Sequence, residues 1–180
     1  DAVTGRSDSR VLIEALYKEN LFMVSLDDVG HWYRYHHLFG ELLRDLQNKQ
    51  GEEGTGLLHQ RASAWYERSG SISDAILHSL ASADYAQAVS LIEKHALDML
   101  MQWHVKTVEG WMQAIPAEWC AQSLRANLAF AWLYLMRGNQ PGAVPYLMWL
   151  QNYFSDPMQP EAVDLSLKAR WLALQCMLLN

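Results

Sequence analysis

The sequence predicts a mainly α-helical protein with one β-hairpin near its start and a stack of helical pairs after it. Three observations predict this fold class. About half of the 180 residues are apolar, which is enough for a packed core. Apolar side chains recur at helical spacing along the chain, with one β-prone interruption over residues 21–35. All five prolines lie beyond residue 115, so caps and glycines must set the earlier helix boundaries.

Residues 1–50 contain the order helix, hairpin, helix. A Ser-Asp-Ser cluster at 7–9 is a good N-cap signal for a first helix that ends near residue 20. Two β-prone runs, 21–26 and 31–35, flank an acidic turn that contains a glycine, which predicts a hairpin. Helical spacing then resumes at Leu38. This order is typical of the end of a winged-helix module, and we predict such a module for residues 1–50.

The charge balance argues against DNA readout by this module. Residues 1–60 carry six basic and ten acidic side chains, and the whole chain has a net charge of −6. A winged helix that reads DNA needs a basic face, because phosphate contacts supply most of the affinity. Nucleic-acid binding is therefore not expected within this chain.

Residues 51–56 contain three glycines and no apolar side chain, and we predict that they form a linker. Helix follows helix beyond it, with short connections. The predicted helices cover about 57–69, 73–82, 84–100, 104–115, 117–122, 124–138, 141–155 and 160–179.

A weak internal repeat runs through this helical part. An Ala-Trp pair at 64–65 is followed by Gly70 and Ala75, and a second pair at 131–132 is followed by Gly138 and Ala143. The small alanine lets helices approach, and the aromatic ring fills the space between neighbours. This pattern predicts a tetratricopeptide-like superhelix, whose concave side binds ligands or partners.

Sequence motifs for catalysis and metal binding are missing. The seven histidines form no HExxH or HxH pattern, and the two cysteines, Cys120 and Cys176, have no neighbouring ligand. No phosphate-cradling loop and no nucleophile elbow is present. We therefore predict no catalytic residue, no metal site and no enzyme activity. Two cysteines and no long apolar run indicate a cytoplasmic protein without membrane contact, and the sequence has the character of a piece of a longer chain.

Trp103, Trp111 and Trp119 recur every eight residues. They could form a stripe on which a ligand stacks, but eight residues are slightly more than two helical turns. One buried helix face explains the spacing, and we favour burial in the core. Trp149 and Trp171 lie near the end of the chain, and we interpret any exposed patch there as the result of missing repeats that would cover it, not as a ligand site.

His36 is the candidate site residue. It falls between the second β-prone run and the following helix, where an imidazole and helix-terminal N–H groups can face an anion together. The alternative is a helix-entry histidine whose ring bonds to a local backbone carbonyl.

At this point the sequence resembles a known family. The resemblance rests on 21–28, on Trp32-Tyr33-Arg34-Tyr35-His36-His37-Leu38-Phe39 and on Leu42-Leu43-Arg44, and it continues through most of 58–93 to Pro116. These residues are similar to the ATP-dependent LuxR-type transcriptional activators, the signal-transducing ATPases of which the maltose-regulon activator is a member. The match covers about residues 9–116 and is looser beyond.

The resemblance implies a domain organisation and a function. It implies the C-terminal part of a winged-helix module at 1–50, a helical arm at 57–122 and the start of tetratricopeptide-like sensor repeats at 123–180. The parent protein would add a P-loop module that binds ATP or ADP and a C-terminal helix-turn-helix that alone binds DNA. The chain would couple nucleotide state to sensing of a small-molecule inducer or regulatory protein, and would need no cofactor by itself. The alternative is a helical-repeat module for protein–protein interaction without nucleotide coupling.

The resemblance also implies a role for His36. In such proteins the winged helix closes over bound ADP through a Met-His-Asp-like motif, whose histidine approaches the β-phosphate. Residues 35–38 match this motif at His36 and Leu38. His37 stands where the motif has its acid, so the carried-over role is limited to His36.

Overall fold

A computed structural model describes residues 1–49, 53–156 and 164–178 of the chain. Helices dominate it, and one two-stranded antiparallel sheet precedes the helical stack, which confirms the predicted fold class. The elements are α1 (Ser9–Lys18), β1 (Met23–Ser25), β2 (Tyr33–Tyr35), α2 (His37–Lys49), α3 (Glu53–Arg68), α4 (Ile72–Ala81), α5 (Tyr85–Met101), α6 (Val105–Ala114), α7 (Ala117–Cys120), α8 (Leu124–Met136), α9 (Gln140–Ser155) and α10 (Leu165–Leu178).

The hairpin forms where the β-prone runs predict it. Val24 of β1 pairs with Arg34 of β2, and the strands are antiparallel. The acidic turn is closed by Asp27, whose carboxylate accepts hydrogen bonds from the backbone N–H groups of His31 at 2.9 Å and Trp32 at 3.1 Å. Gly30 supplies the left-handed residue that the turn requires, with φ of +67°.

The start of α1 differs from the expected capping. Asp8 occupies the N-cap position, but its side chain caps no backbone N–H. Its two carboxylate oxygens instead accept hydrogen bonds of 2.8 and 2.7 Å from the guanidinium of Arg6. An arginine two residues away competes for the carboxylate, because two parallel guanidinium N–H bonds to it are stronger than one backbone N–H bond.

The predicted linker at 51–56 is mostly helical where it is described. Helix α3 begins at Glu53 and takes in residues 54–56, while residues 51 and 52 lie outside the described part of the chain. The domain boundaries inferred from the sequence stay predictions. The last helix begins at Leu165, and residues 160–163 of its predicted span also lie outside the described residues.

The hydrophobic core belongs to the helical stack. Its buried apolar side chains begin at Ala62 and end at Leu174, and α5 and α8 contribute the largest shares. None of residues 1–46 is buried. The winged-helix segment is held instead by ring contacts at its surface, such as Tyr17 with Tyr33 at a centroid distance of 5.4 Å. A 3.4 Å hydrogen bond from the Arg61 guanidinium to the carbonyl of Val3 connects it to α3.

Four helix–helix turns of the stack share one geometry. Each preceding helix is followed, after one capping residue, by a residue with positive φ, and the N–H groups of this residue and of its successor bond back into the last helical turn. This is the Schellman motif, which satisfies two carbonyls that the helix end leaves open. The left-handed residues are Gly70 (+82°), Ala83 (+54°), Trp103 (+66°) and Gly138 (+69°).

The internal repeat holds at the turns and on the second helices. Gly70 and Gly138 occupy equivalent turns, and Ala75 and Ala143 are both fully buried. The first helices differ, because Ala131 is buried whereas Ala64 is exposed. On α3 the small residue that faces α4 is Ser63, whose hydroxyl lies 2.7 Å from that of Ser79.

The tryptophans do not share one buried face. Trp111 is 2% exposed, but Trp103 is 79% exposed because the left-handed turn after α5 directs it outward. Trp119 is 47% exposed and contacts Tyr85. Trp171 is buried at 6% exposure and Trp149 is half-buried, so these two residues form no exposed patch. Separately, none of the described helices combines the length and the apolar character that crossing a membrane demands.

Candidate functional site

His36 sits between β2 and α2, and hydrogen bonds fix its backbone on both sides. Its N–H donates to the carbonyl of Phe22 at 2.6 Å, which extends the hairpin by one bond. Its carbonyl accepts from the N–H of Gly40 at 2.9 Å, which closes the first turn of α2. One residue thus ends the sheet and begins the helix, so the position of the imidazole is set by both elements.

The imidazole of His36 is exposed, and its neighbour is another imidazole. The ring centroids of His36 and His37 lie 4.5 Å apart with an angle of 37° between the planes. Within the described residues, neither ring forms a hydrogen bond to a backbone carbonyl. Both rings are therefore open to a ligand on their polar edges.

These histidines line a cleft of about 640 Å³ at the hairpin–helix junction. Two arginines join them: Arg34 on β2 and Arg44 on α2. Neither arginine forms an ion pair with any described carboxylate, and none of the lining residues is acidic. The remaining lining residues are Val24, Tyr35, Gly40 and Leu43.

The cleft is a local concentration of positive charge in an acidic segment. Each of the two guanidiniums carries a positive charge and offers a planar fork of donors that matches carboxylate or phosphate oxygens. The N-terminus of α2 adds to this field, because its first N–H groups have no partner inside the helix and no acidic residue occupies its first turn. The arrangement can bind an anion.

Aromatic contacts hold the two elements of the site together. The ring of Phe39, on the first turn of α2, lies 5.1 Å from that of Phe22 and 5.5 Å from that of Tyr35. Such pairs contribute about 0.5–1.5 kcal/mol each beyond the area they bury. They fix the start of α2 against the hairpin, where none of residues 1–46 is buried.

Sequence reasoning found His36 but not the two arginines beside it. In the sequence, Arg34 is explained as a polar residue on the solvent-facing side of a strand. Arg44 is explained as a cation near the C-terminus of a helix, where the helix dipole favours positive charge. One signal could have revealed them: His37, Gly40 and Arg44 follow each other at intervals of three and four residues, which places them on one helix face. Arg34 is two residues before His36, on the strand that leads into the site.

The other histidines are dispersed, apart from one pair. The Nδ1 atoms of His59 on α3 and His78 on α4 lie 2.7 Å apart. Among the described residues, no group of three or more His, Cys, Asp or Glu side chains converges as a metal site requires. Cys120 is buried, and burial raises the pKa of its thiol to about 11, so the sulfur is a neutral thiol at physiological pH.

Comparison with known proteins identifies the N-terminal segment. Residues 1–54 match the family model of the MalT winged helix domain. The HTH-type transcriptional regulator MalT of Cronobacter sakazakii is 32% identical over 133 residues, which are 73% of this chain and 14% of that protein. These matches confirm the resemblance to the maltose-regulon activator family inferred from residues 9–116.

A second relative is named as a protein kinase and not as a transcriptional regulator. The serine/threonine-protein kinase PknK of Mycobacterium tuberculosis is 28% identical over 168 residues, which are 93% of this chain and 15% of the kinase. The chain thus spans about one seventh of the length of the curated relatives it matches, and the kinase name assigns no activity to it. The domain matched at 1–54 is a winged helix and not a catalytic domain. No solved structure matches the chain significantly.

Proposed function

We propose that this chain, in which a MalT-type winged helix domain leads into a helical stack, couples nucleotide state to inducer sensing in a bacterial transcription regulator. The single observation that carries the proposal is the cationic cleft around His36, in the domain that the MalT family model matches. The ligand proposed for it is the diphosphate of ADP. The nucleotide itself would be held mainly by a P-loop module elsewhere in the parent protein.

The chemistry of the cleft suits a diphosphate. His36 can donate a hydrogen bond to a phosphate oxygen, and the Arg34 and Arg44 guanidiniums can each form two parallel bonds to phosphate. His37 replaces the acid of the family motif, and this replacement removes a negative charge that would repel the phosphate.

Exchange of ADP for ATP would shift an equilibrium between two interdomain arrangements. A ligand shifts such an equilibrium only by its differential affinity for the two states, and contacts from His36 to ADP supply that difference. The helical stack that begins at α3 would transmit the change to sensor repeats, which bind a small-molecule inducer or a regulatory protein. DNA binding is assigned to a helix-turn-helix outside this chain, and ATP hydrolysis to the P-loop module.

The test uses the full-length parent protein and a fluorescent ADP analogue. His36→Ala is expected to speed release of the analogue at least tenfold, since a hydrogen bond to a charged group is worth about 1.5–3 kcal/mol. His31→Ala is the matched control, because His31 is an exposed histidine of the same hairpin that does not line the cleft. Stopped-flow displacement with unlabelled ADP measures both release rates.

Two results would contradict the proposal. Equal release rates for the wild type and His36→Ala would remove His36 from the nucleotide site. Inducer or partner affinity that is the same in ADP and in ATP would indicate the alternative function, a helical-repeat interaction module without nucleotide coupling.

A further inference from the structure

A second cavity lies where α6, α7, α8 and α9 meet. Its volume is about 290 Å³. Most of its wall is aromatic or aliphatic, and the side chains of Met112, Ile115, Phe130, Pro145, Tyr146 and Trp149 form it. Since an apolar cavity of about 150 Å³ holds benzene, this volume accommodates about two fused rings.

The aromatic wall is held in place by its own contacts. Phe130 is 3% exposed, and its ring meets that of Tyr146 edge-on at a centroid distance of 5.6 Å. Tyr146 in turn stacks on Tyr134 at 5.7 Å. A wall fixed before binding loses little side-chain entropy when a ligand enters, which favours binding of small molecules.

The cavity is neutral, and the Asn127 side chain offers it an amide acceptor. Asn127 is 5% exposed, and its amide nitrogen donates to the carbonyls of Ser123 at 2.8 Å, Cys120 at 3.2 Å and Ala121 at 3.4 Å. These bonds orient the side chain, and its amide oxygen accepts no hydrogen bond from any described residue. None of the lining residues, all in the described part of the chain, is charged.

Titration does not change this neutrality near pH 7. Burial raises the pKa of the Cys120 thiol to about 11, and burial together with Tyr134 raises the pKa of the Tyr146 phenol above its ordinary value. Both groups stay protonated. An ion that entered would lose its hydration without gaining a counter-charge, so neutral ligands are strongly favoured.

We propose that this cavity is a binding site for a neutral molecule of about two fused rings that carries one hydrogen-bond donor for Asn127. Apolar walls with few well-placed polar groups are the usual build of small-molecule sites. The site goes beyond nucleotide coupling and does not depend on it. It uses α6 and α7 from the predicted arm and α8 and α9 from the predicted sensor repeats, so a bound ligand would bridge the two.

The test is a titration of the 180-residue chain with 2-naphthol, followed by ¹H–¹⁵N NMR. The indole N–H of Trp149 and the side-chain amide of Asn127 are expected to shift saturably, with a Kd below about 1 mM. 2-Naphthoate has the same rings but a negative charge, and it is expected to bind at least tenfold more weakly. Equal binding of the two probes, or shifts that never saturate, would overturn the proposal.

The variant Ala121→Leu tests whether 2-naphthol binds in this cavity. Ala121 lines the cavity and is exposed at its mouth, so a leucine narrows the opening without replacing a core residue. It is expected to weaken 2-naphthol binding at least tenfold. Ala114→Leu is the matched control, because Ala114 is an exposed alanine of α6 that does not line the cavity. Unchanged affinity in Ala121→Leu would refute the site.

A second measurement works on the wild type alone. Intermolecular NOEs from 2-naphthol protons to the Met112 methyl group and the Phe130 ring are expected, since both lie on the cavity wall. NOEs only to residues outside α6–α9 would place the ligand elsewhere and overturn the proposal even if Ala121→Leu does not fold.

Discussion

His59 and His78 share a hydrogen bond between their Nδ1 atoms, which lie 2.7 Å apart and join α3 to α4. One ring must donate and the other accept, so at least one of them is neutral whenever the bond exists. The ring of Tyr66, also on α3, stacks on His78 at 5.3 Å and nearly parallel, at 11°. Burial and the nearby charge of His59 lower the pKa of His78, while Asp74 on its own helix opposes the shift.

The first prediction is that acid destabilises the helical stack through this pair. The folded-state pKa of His78 lies below its unfolded value of about 6.5, so the unfolded chain binds the proton more tightly. The contribution of neutral His78 to the free energy of unfolding is fully present above about pH 6.5. It is lost as the pH falls through the lower pKa of the folded state. Urea unfolding at a series of pH values between 7.5 and 5 is expected to show a falling midpoint.

His78→Gln should flatten this pH dependence, because the titrating ring is gone. His31→Gln is the control, since His31 is exposed on the hairpin and bonds only through its backbone N–H. A midpoint that falls equally steeply in His78→Gln would show that other groups cause the acid sensitivity.

The second prediction concerns a pair of hydroxyl groups between the same two helices, α3 and α4. Ser63 and Ser79 are 2% and 1% exposed, and the Ser79 hydroxyl also donates to the carbonyl of Ala75 at 3.1 Å. Ser79→Ala leaves the Ser63 hydroxyl buried without its partner, which costs about 1–3 kcal/mol. The double variant Ser63→Ala/Ser79→Ala is expected to be more stable than Ser79→Ala alone.

Chemical denaturation of the two single variants and the double variant completes the thermodynamic cycle. Ser63→Ala alone should cost less than Ser79→Ala, because Ser79 keeps its bond to Ala75. Strict additivity of the two losses would mean that the hydroxyls do not interact.

The third prediction uses the left-handed turns. An added Cβ at Gly138 meets no atom within 4 Å, so Gly138→Ala tests the backbone conformation alone. It should destabilise by about 1–2 kcal/mol, the cost of a left-handed conformation for a residue with a side chain. Ala83→Gly is expected to have the smaller or opposite effect, since Ala83 already has φ of +54°. Melting temperatures of the two variants, which should move apart, provide the measurement.

The fourth prediction is that α10 is part of the same core. Trp171 is 6% exposed and stacks on Phe154 of α9 at 5.7 Å, with 10° between the planes. Trp171→Ala should destabilise by about 3–5 kcal/mol. Leu172→Ala serves as the comparison, because Leu172 is its neighbour and is 58% exposed. Loss of less than about 1 kcal/mol in Trp171→Ala would mean that α10 does not stabilise the stack in solution.

The helices and the hairpin could be predicted from local sequence patterns, whereas the burial of their side chains and their packing partners could not. Periodicity and turn residues act over a few positions, and they predicted α1, the hairpin and the helices beyond residue 57 to within a few residues. Burial depends on contacts between distant segments, and spacing alone wrongly grouped Trp103 and Trp119 with Trp111. Asp8 bonds to Arg6 and does not cap α1. The sequence alone could not predict this, because it cannot rank two candidate partners for one carboxylate.

The same limit applies to the candidate site. The junction of strand and helix, and with it His36, was visible in the order of residue types. Arg34 and Arg44 are ten positions apart on different elements, and only the angle between β2 and α2 brings them into one cleft. The pairing of His59 with His78, nineteen positions apart, likewise depends on how α3 and α4 pack.

The absence of buried side chains in residues 1–46 has a mechanical consequence. A segment without an interior of its own gains little free energy from folding alone, because ordering a backbone costs about 1–2 kcal/mol per residue. Contacts with neighbouring segments, such as the hydrogen bond from Arg61 to Val3, therefore contribute to its order, and hydrogen exchange in α1, the hairpin and α2 should report them directly.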